Sequence, residues 1–292
     1  MKLIEVLNQI PKLDKEILIS APKIDATNKD VCDYLKDSGI IFETSDVDTA
    51  VERLKRLLEY YSKFGVMSCS IQDEAYSKRL KEITTPPAVI YYLGNIAQLN
   101  KMKLIALIGT RKPSEDGTKV SYNLGNVLSK KGYGVVNGLA LGCDSYALKG
   151  CIDAGVAYPV AVMPCGLDEI YPKRNKELAD EILDKGGCLI SEYGPKTSVQ
   201  KHMYVQRDRI QAGLSDGVIM VEAMKDSGTM HTINFAKKYN RYIACCKEKN
   251  NIFTGNKYLL DIGVQVLEND KDLKLFEKNV NSGGFHQMSL FD

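Results

Sequence analysis

The chain has 292 residues, 44% hydrophobic and 26% charged, a balance that builds a buried core and excludes a largely disordered polypeptide. Its 39 lysines and arginines against 37 aspartates and glutamates leave a formal net charge of +2, so no global basic field marks a nucleic-acid binder and any such site has to come from local clustering. The longest apolar runs, such as Tyr158 to Met163, are far too short for a membrane-spanning helix.

Residues 1–64 are expected to form a small helical domain. Val51, Leu54, Leu57, Leu58 and Tyr61 recur at helical spacing, and Asp46 or Asp48 is placed to cap that helix. The opening MKLIEVLNQIPKLDKEI alternates charge with apolar residues and has no signal-peptide core, so a cytoplasmic protein is expected. The eight cysteines agree: none shows CxxC or Cys/His ligand spacing, and Cys245 and Cys246 are adjacent, which predicts reduced thiols and no metal site. Residues 65–102 read as a connector with one strand at Ala88 to Leu93.

From residue 103 the rhythm changes. Short apolar runs at Leu104–Ile108, Val135–Val136, Pro159–Met163, Cys188–Ser191, Val218–Glu222 and Tyr242–Cys246 alternate with amphipathic stretches. Near-continuous apolar strands separated by helices predict an α/β fold, an extended Rossmann-like and mostly parallel sheet with helices on both faces. That domain is expected over 65–275, with its core at 103–270. Residues 276–292 turn polar and read as a flexible tail.

Ligands of such sheets bind beyond the carboxyl ends of the strands, so the loops after each run are the candidate site. The first carries Gly109, Thr110, Arg111 and Lys112 before a helix expected near Gly117: glycine admits a ligand to the backbone, and Arg111 offers a fork for phosphate oxygens. The spacing is not that of a dinucleotide fingerprint. The second loop carries Gly138, Gly142 and Asp144, the last as a cap; the third leads to Lys173 and Arg174. The fifth brings Ser227, Gly228 and Thr229 to a helix start, an expected oxyanion cradle. Between the fourth and fifth runs, Lys201, His202, Tyr204, Arg207 and Arg209 interleave cations with a ring, a pattern suited to tracking phosphates and stacking a base.

These loops, in this order, resemble the DNA-processing protein A family (DprA, also called Smf). The matching stretches are IALIGTRKPSEDG, NGLALGCDSYALKG, VAVMPCGLDEIYPKRN, LISEYGP, QRDRIQAGLSDGVIMVEA and SGTMHTINFA, with DEAYSKRLKEITTPPAVIYYLGN before them and TGNKYLLDIGVQVL after, covering about 70 to 270. The resemblance implies single-stranded DNA binding without catalysis or cofactor, a homodimer, and delivery of DNA to the RecA recombinase in natural transformation or related DNA maintenance. It maps the phosphate grip to Gly109, Thr110 and Arg111, and a basic helix start to Arg207 and Arg209.

The chain also departs from the family pattern. Leu141 and Leu148 stand where Arg and His are usual, and Asp208 puts a carboxylate beside the expected phosphate site. The winged-helix domain that often closes family members is not expected in the short stretch after residue 270. The closing Gln287-Met288-Ser289-Leu290-Phe291 is similar to the pentapeptide that docks DNA-maintenance proteins on the sliding clamp, with Gln287, Leu290 and Phe291 as its contacts and a Ser-Gly-Gly tether before it.

Two other functions compete. A phosphoribohydrolase of the broader superfamily needs a glutamate three residues past the threonine of its glycine-rich loop; here Thr232 stands there, which argues against an enzyme. A non-catalytic sensor of a nucleotide-derived ligand would use the same cradle.

Overall fold

The computed structural model describes residues 1–156, 158–249 and 252–282. Four helices lead: α1 (Leu3–Leu7), α2 (Lys15–Ser20), α3 (Asn28–Asp37) and α4 (Thr44–Ser62). The first turn of α4 begins ahead of the expected caps, and Asp46 serves it from within by accepting the Glu43 N–H at 3.0 Å. Strand β1 (Met67–Ser70), the short α5 (Lys78–Lys81) and β2 (Val89–Gly94) follow, so the expected connector is part of the sheet.

The remaining elements alternate. They run β3 (Leu104–Ile108), α6 (Glu115–Lys130), β4 (Gly134–Asn137), α7 (Cys143–Asp153), β5 (Pro159–Met163), α8 (Lys176–Asp184) and β6 (Cys188–Ser191). Then come α9 (Lys201–Leu214), β7 (Gly217–Met220), α10 (Thr229–Lys238), β8 (Tyr242–Cys246), α11 (Thr254–Asp261), β9 (Gln265–Leu267) and α12 (Asp270–Ser282). Among the described residues, nine strands lie in the order β1-β2-β6-β5-β4-β3-β7-β8-β9. Pairings from β6 through β9 are parallel; β1 with β2 and β2 with β6 are antiparallel.

Both faces of the sheet are buried, and strand residues divide between them by the two-residue alternation of side chains. Leu104, Ala106 and Ile108 of β3 join one apolar core with Ile210 of α9 and Ile233 of α10. Ile105 and Leu107 join the other with Leu128 of α6, Ala147 of α7 and Ile182 of α8. This double cover is why the strands read as unbroken apolar runs.

Two expected boundaries change. The N-terminal helices do not keep a core to themselves: Leu3, Val31, Val47 and Leu54 belong to the same cluster as Ile90 and Leu104. The expected tail from residue 276 is helical through Ser282, because Phe276 and Val280 of α12 fall at i, i+4 and both are buried. Among the described residues, no helix is long and apolar enough to cross a membrane.

Candidate nucleic-acid interface

The strand order reverses between β3 and β7, where open α/β sheets form their ligand crevice. This chain fills that crevice itself. Just past β7, the Glu222 carboxylate accepts the Ser114 N–H at 2.8 Å and the Ser114 hydroxyl at 2.6 Å. Ser114 is the N-cap of α6, and a Cβ on Gly117 would lie 2.1 Å from Glu222 Oε2. An internal anion therefore occupies the helix N-terminus that a pyrophosphate takes in dinucleotide folds. The neighbouring backbone is tied in as well: the Thr110 N–H donates to the Glu222 carbonyl at 2.7 Å, and the Thr229 hydroxyl to the Gly109 carbonyl at 3.2 Å.

The β4 loop repeats the device. Asp144 is not the cap of α7, since the N-cap is Gly142; its carboxylate turns back to accept the N–H groups of Gly138 at 3.0 Å and Ala140 at 3.3 Å. Burial pushes the Asp144 carboxyl up to about 6, against the opposing pull of Arg207 and of the two N–H groups. The glycines face protein atoms. A Cβ on Gly138 would fall 1.4 Å from Arg207 Nη1, and one on Gly109 2.5 Å from Cys143 Sγ. Gly142, at φ +82, lies against the backbone of Thr110 and Arg111. At Gly109, Gly138 and Gly142 the missing side chain lets the loops interlock, and Asp144, expected as a cap, holds the Gly138 and Ala140 N–H groups instead.

The two arginines expected at a basic helix start lie inside α9 and divide likewise. Arg209 is 2% exposed and gives both oxygens of Glu192 a hydrogen bond from Nη2, at 2.7 and 2.8 Å. That pairing turns Arg209 inward, away from the surface where its phosphate contact is expected. Arg207 is 6% exposed, donates to the Val162 carbonyl at 3.2 Å and places Nε 3.0 Å from the Asp208 carboxylate. Asp208 is also buried, which raises its pKa, and it accepts from Gln211 at 2.7 Å. Arg207 thus forms the floor of a cavity instead of an open cation. Leu148 lies in the core, whereas Leu141 lines that cavity.

The outward-facing chemistry lies beside it. Arg111 is exposed and stands 5.3 Å over the ring of Tyr204, and Tyr204 meets Tyr171 edge-on at 6.3 Å. The Tyr204 phenol is pushed up to about 12, chiefly by burial, so its ring presents an uncharged stacking face. These three side chains, with Ala140, Leu141 and Pro164, enclose a cavity of about 110 Å³ above Arg207. Tyr171 and Tyr204 also line a groove of about 590 Å³ that runs past Lys173 and Lys201 to Lys196.

Lys112, Arg174 and Lys201 are exposed, and Lys173 pairs with Glu169 at 2.9 Å on the surface. Ser227 and Thr229 spend their hydroxyl protons on the carbonyls of Met224 and Gly109, which leaves Gly228 open at the start of α10. The partnership of Tyr171 with Tyr204 and the position of Lys196 escape sequence reasoning, because each joins two loops far apart in the chain. Gln287, Leu290 and Phe291 lie outside the described residues.

Comparison with known proteins agrees with this architecture. The family model described as DNA recombination-mediator protein A matches residues 68–277. The DNA processing protein DprA of Bacillus subtilis is 31% identical over 232 residues, 80% of this chain and 75% of that protein. The X-ray structure of DprA from Streptococcus pneumoniae is similar with a TM-score of 0.72 at 26% identity, covering 93% of this chain and 92% of that one. A structure of DNA processing protein A from Helicobacter pylori, solved to show its single-stranded DNA binding mode, gives a TM-score of 0.67 at 28% identity over 74% of this chain and 96% of that one. Matched in sequence and in fold over most of its length, the chain belongs to the DNA recombination-mediator protein A family.

Proposed function

We propose that this protein binds single-stranded DNA without base specificity and acts as a recombination mediator. The observation that carries the reading is Arg111, exposed and seated over Tyr204 at a cavity that shares Tyr171 and Tyr204 with a lysine-flanked groove. A guanidinium beside an uncharged ring takes a phosphate and the base attached to it, and neither contact depends on which base is present. The H. pylori relative with a described single-stranded DNA binding mode supports the same ligand class.

Titration of labelled oligo(dT) by fluorescence anisotropy tests the reading. Binding falls steeply with salt, and Arg111→Ala weakens it by about ten-fold while reducing the log–log salt slope by about 0.7. Unchanged affinity and slope in that variant refute the site.

We assign to this protein delivery of DNA to the RecA recombinase in transformation or related DNA maintenance, as a non-catalytic homodimer. The engagement of Glu192 by Arg209 and of Glu222 by Ser114, with Thr232 buried where a phosphoribohydrolase needs its glutamate, supports a binding protein over an enzyme. Gln287, Leu290 and Phe291 are assigned as a sliding-clamp contact; absence of clamp binding by a peptide of residues 282–292 at high micromolar concentration refutes it. The small, partly apolar cavity with Leu141 in its wall favours one second reading, a sensor of a nucleotide-derived ligand. Selective binding of one nucleotide in a panel, with none of oligo(dT), would select it.

A further inference from the structure

We infer that the N-terminal helices supply a second stacking platform for the strand, at the end of the groove away from Arg111. The inference rests on the single-stranded DNA reading and extends it to a part of the chain outside the matched family region, residues 68–277. The groove of about 590 Å³ is continuous from Tyr204 to Lys196, so a strand seated on Arg111 and Tyr204 has a path to that lysine.

Lys196 is held where a phosphate would pass. Its backbone adopts φ 57, in the left-handed region that is uncommon for residues other than glycine. Its N–H donates to both oxygens of Asp168, at 3.2 and 3.0 Å, and its ammonium stands 4.6 Å over the ring of Tyr60 on α4. The Tyr60 hydroxyl closes the arrangement on Asp168 at 3.4 Å. Beyond it, the Phe64 ring lies 5.2 Å from Tyr60 and is 45% exposed, with Lys63 exposed beside it at the end of α4.

This repeats the chemistry of the first subsite, a cation over a tyrosine with a second aromatic ring beside it. The carboxylates along the path are already engaged: Asp168 by Lys196 and Tyr60, and Glu169 by Lys173 at 2.9 Å. They therefore oppose a phosphate less than free carboxylates would. An exposed phenylalanine next to a lysine-capped tyrosine gives a base a face to stack on and its phosphate a charge to meet.

The test is length dependence in the intact protein. Oligo(dT) of about 6 nucleotides fills the Arg111 subsite alone, whereas one of about 20 reaches α4. The double variant Tyr60→Ala/Phe64→Ala is expected to bind the short oligonucleotide as the parent does and the long one about ten-fold more weakly. Lys196→Gln, which removes the charge and keeps a polar side chain, lowers the salt slope for the long oligonucleotide by about 0.7 and leaves the short one unchanged. Tyr60→Phe retains the ring and binds both like the parent, which separates stacking from the Asp168 contact. Unchanged affinity of the double variant for the long oligonucleotide overturns the platform alone, as does an equal loss for both lengths. No binding of either length by the parent protein overturns the DNA reading together with its extension.

Discussion

Replacing Gly138 by alanine separates two explanations of the glycines in these loops. The new Cβ would lie 1.4 Å from Arg207 Nη1 and 2.2 Å from its Cζ. Nonbonded heavy atoms need about 3.5 Å, so the guanidinium must retreat by about 2 Å. That movement breaks its hydrogen bond to the Val162 carbonyl, now 3.2 Å, and disturbs the 3.0 Å contact with Asp208. It also draws the compensating charge away from the buried Asp144. Hydrogen bonds to charged groups contribute about 1.5–3 kcal/mol each, and the adjoining cavity lets part of the loss be recovered, so the expected destabilisation is roughly 2–4 kcal/mol. With an m-value near 3 kcal/mol/M, equilibrium unfolding in urea should show its midpoint about 1 M lower. If the midpoint stays within about 0.2 M of the parent while oligonucleotide binding weakens, Gly138 serves a bound phosphate and the internal account is wrong.

Further outcomes follow from the same contacts. Glu222→Ala leaves the Ser114 N–H and hydroxyl at the start of α6 without their acceptor, and should lower stability by about 1–3 kcal/mol in thermal or urea unfolding. Arg209→Ala removes a buried partner of the partly exposed Glu192 and should destabilise by about 2–4 kcal/mol, yet leave the salt slope of DNA binding unchanged. Arg111→Ala should do the reverse, weakening binding with no change in the unfolding midpoint. Asp144 binds its proton more tightly when folded, titrating near about 6, than in the unfolded chain. Its contribution is full below about pH 4 and is lost as pH rises through about 6. Asp144→Asn has no such proton, so its stability should gain on the parent's across that window by on the order of 2 kcal/mol, read from urea midpoints at a series of pH values.

The sheet was legible because its physics is local. A strand buried on both faces has to be apolar at nearly every position, and Leu104–Ile108 and Pro159–Met163 are. The end of α12 was less legible, since Phe276 and Val280 are separated by polar residues that mask a narrow buried stripe. The glycine loops were recognisable as places where something approaches the backbone. Which atoms approach was not written there, because Arg207 and Gly138, or Glu222 and Gly117, are brought together only by the assembled sheet.

The amino-acid pattern by itself therefore determined the class of fold and the run of core strands from Leu104 to Cys246, both of which follow from periodicity within short stretches. Tertiary structure alone decided which charges face outward. Arg111 and Arg209 are the same residue type, the first in the loop after β3 and the second on α9, yet one lies open over Tyr204 and the other is locked to Glu192. The difference is set by partners far away in the chain, and a guanidinium is available to a phosphate only where the fold has not already given it a carboxylate.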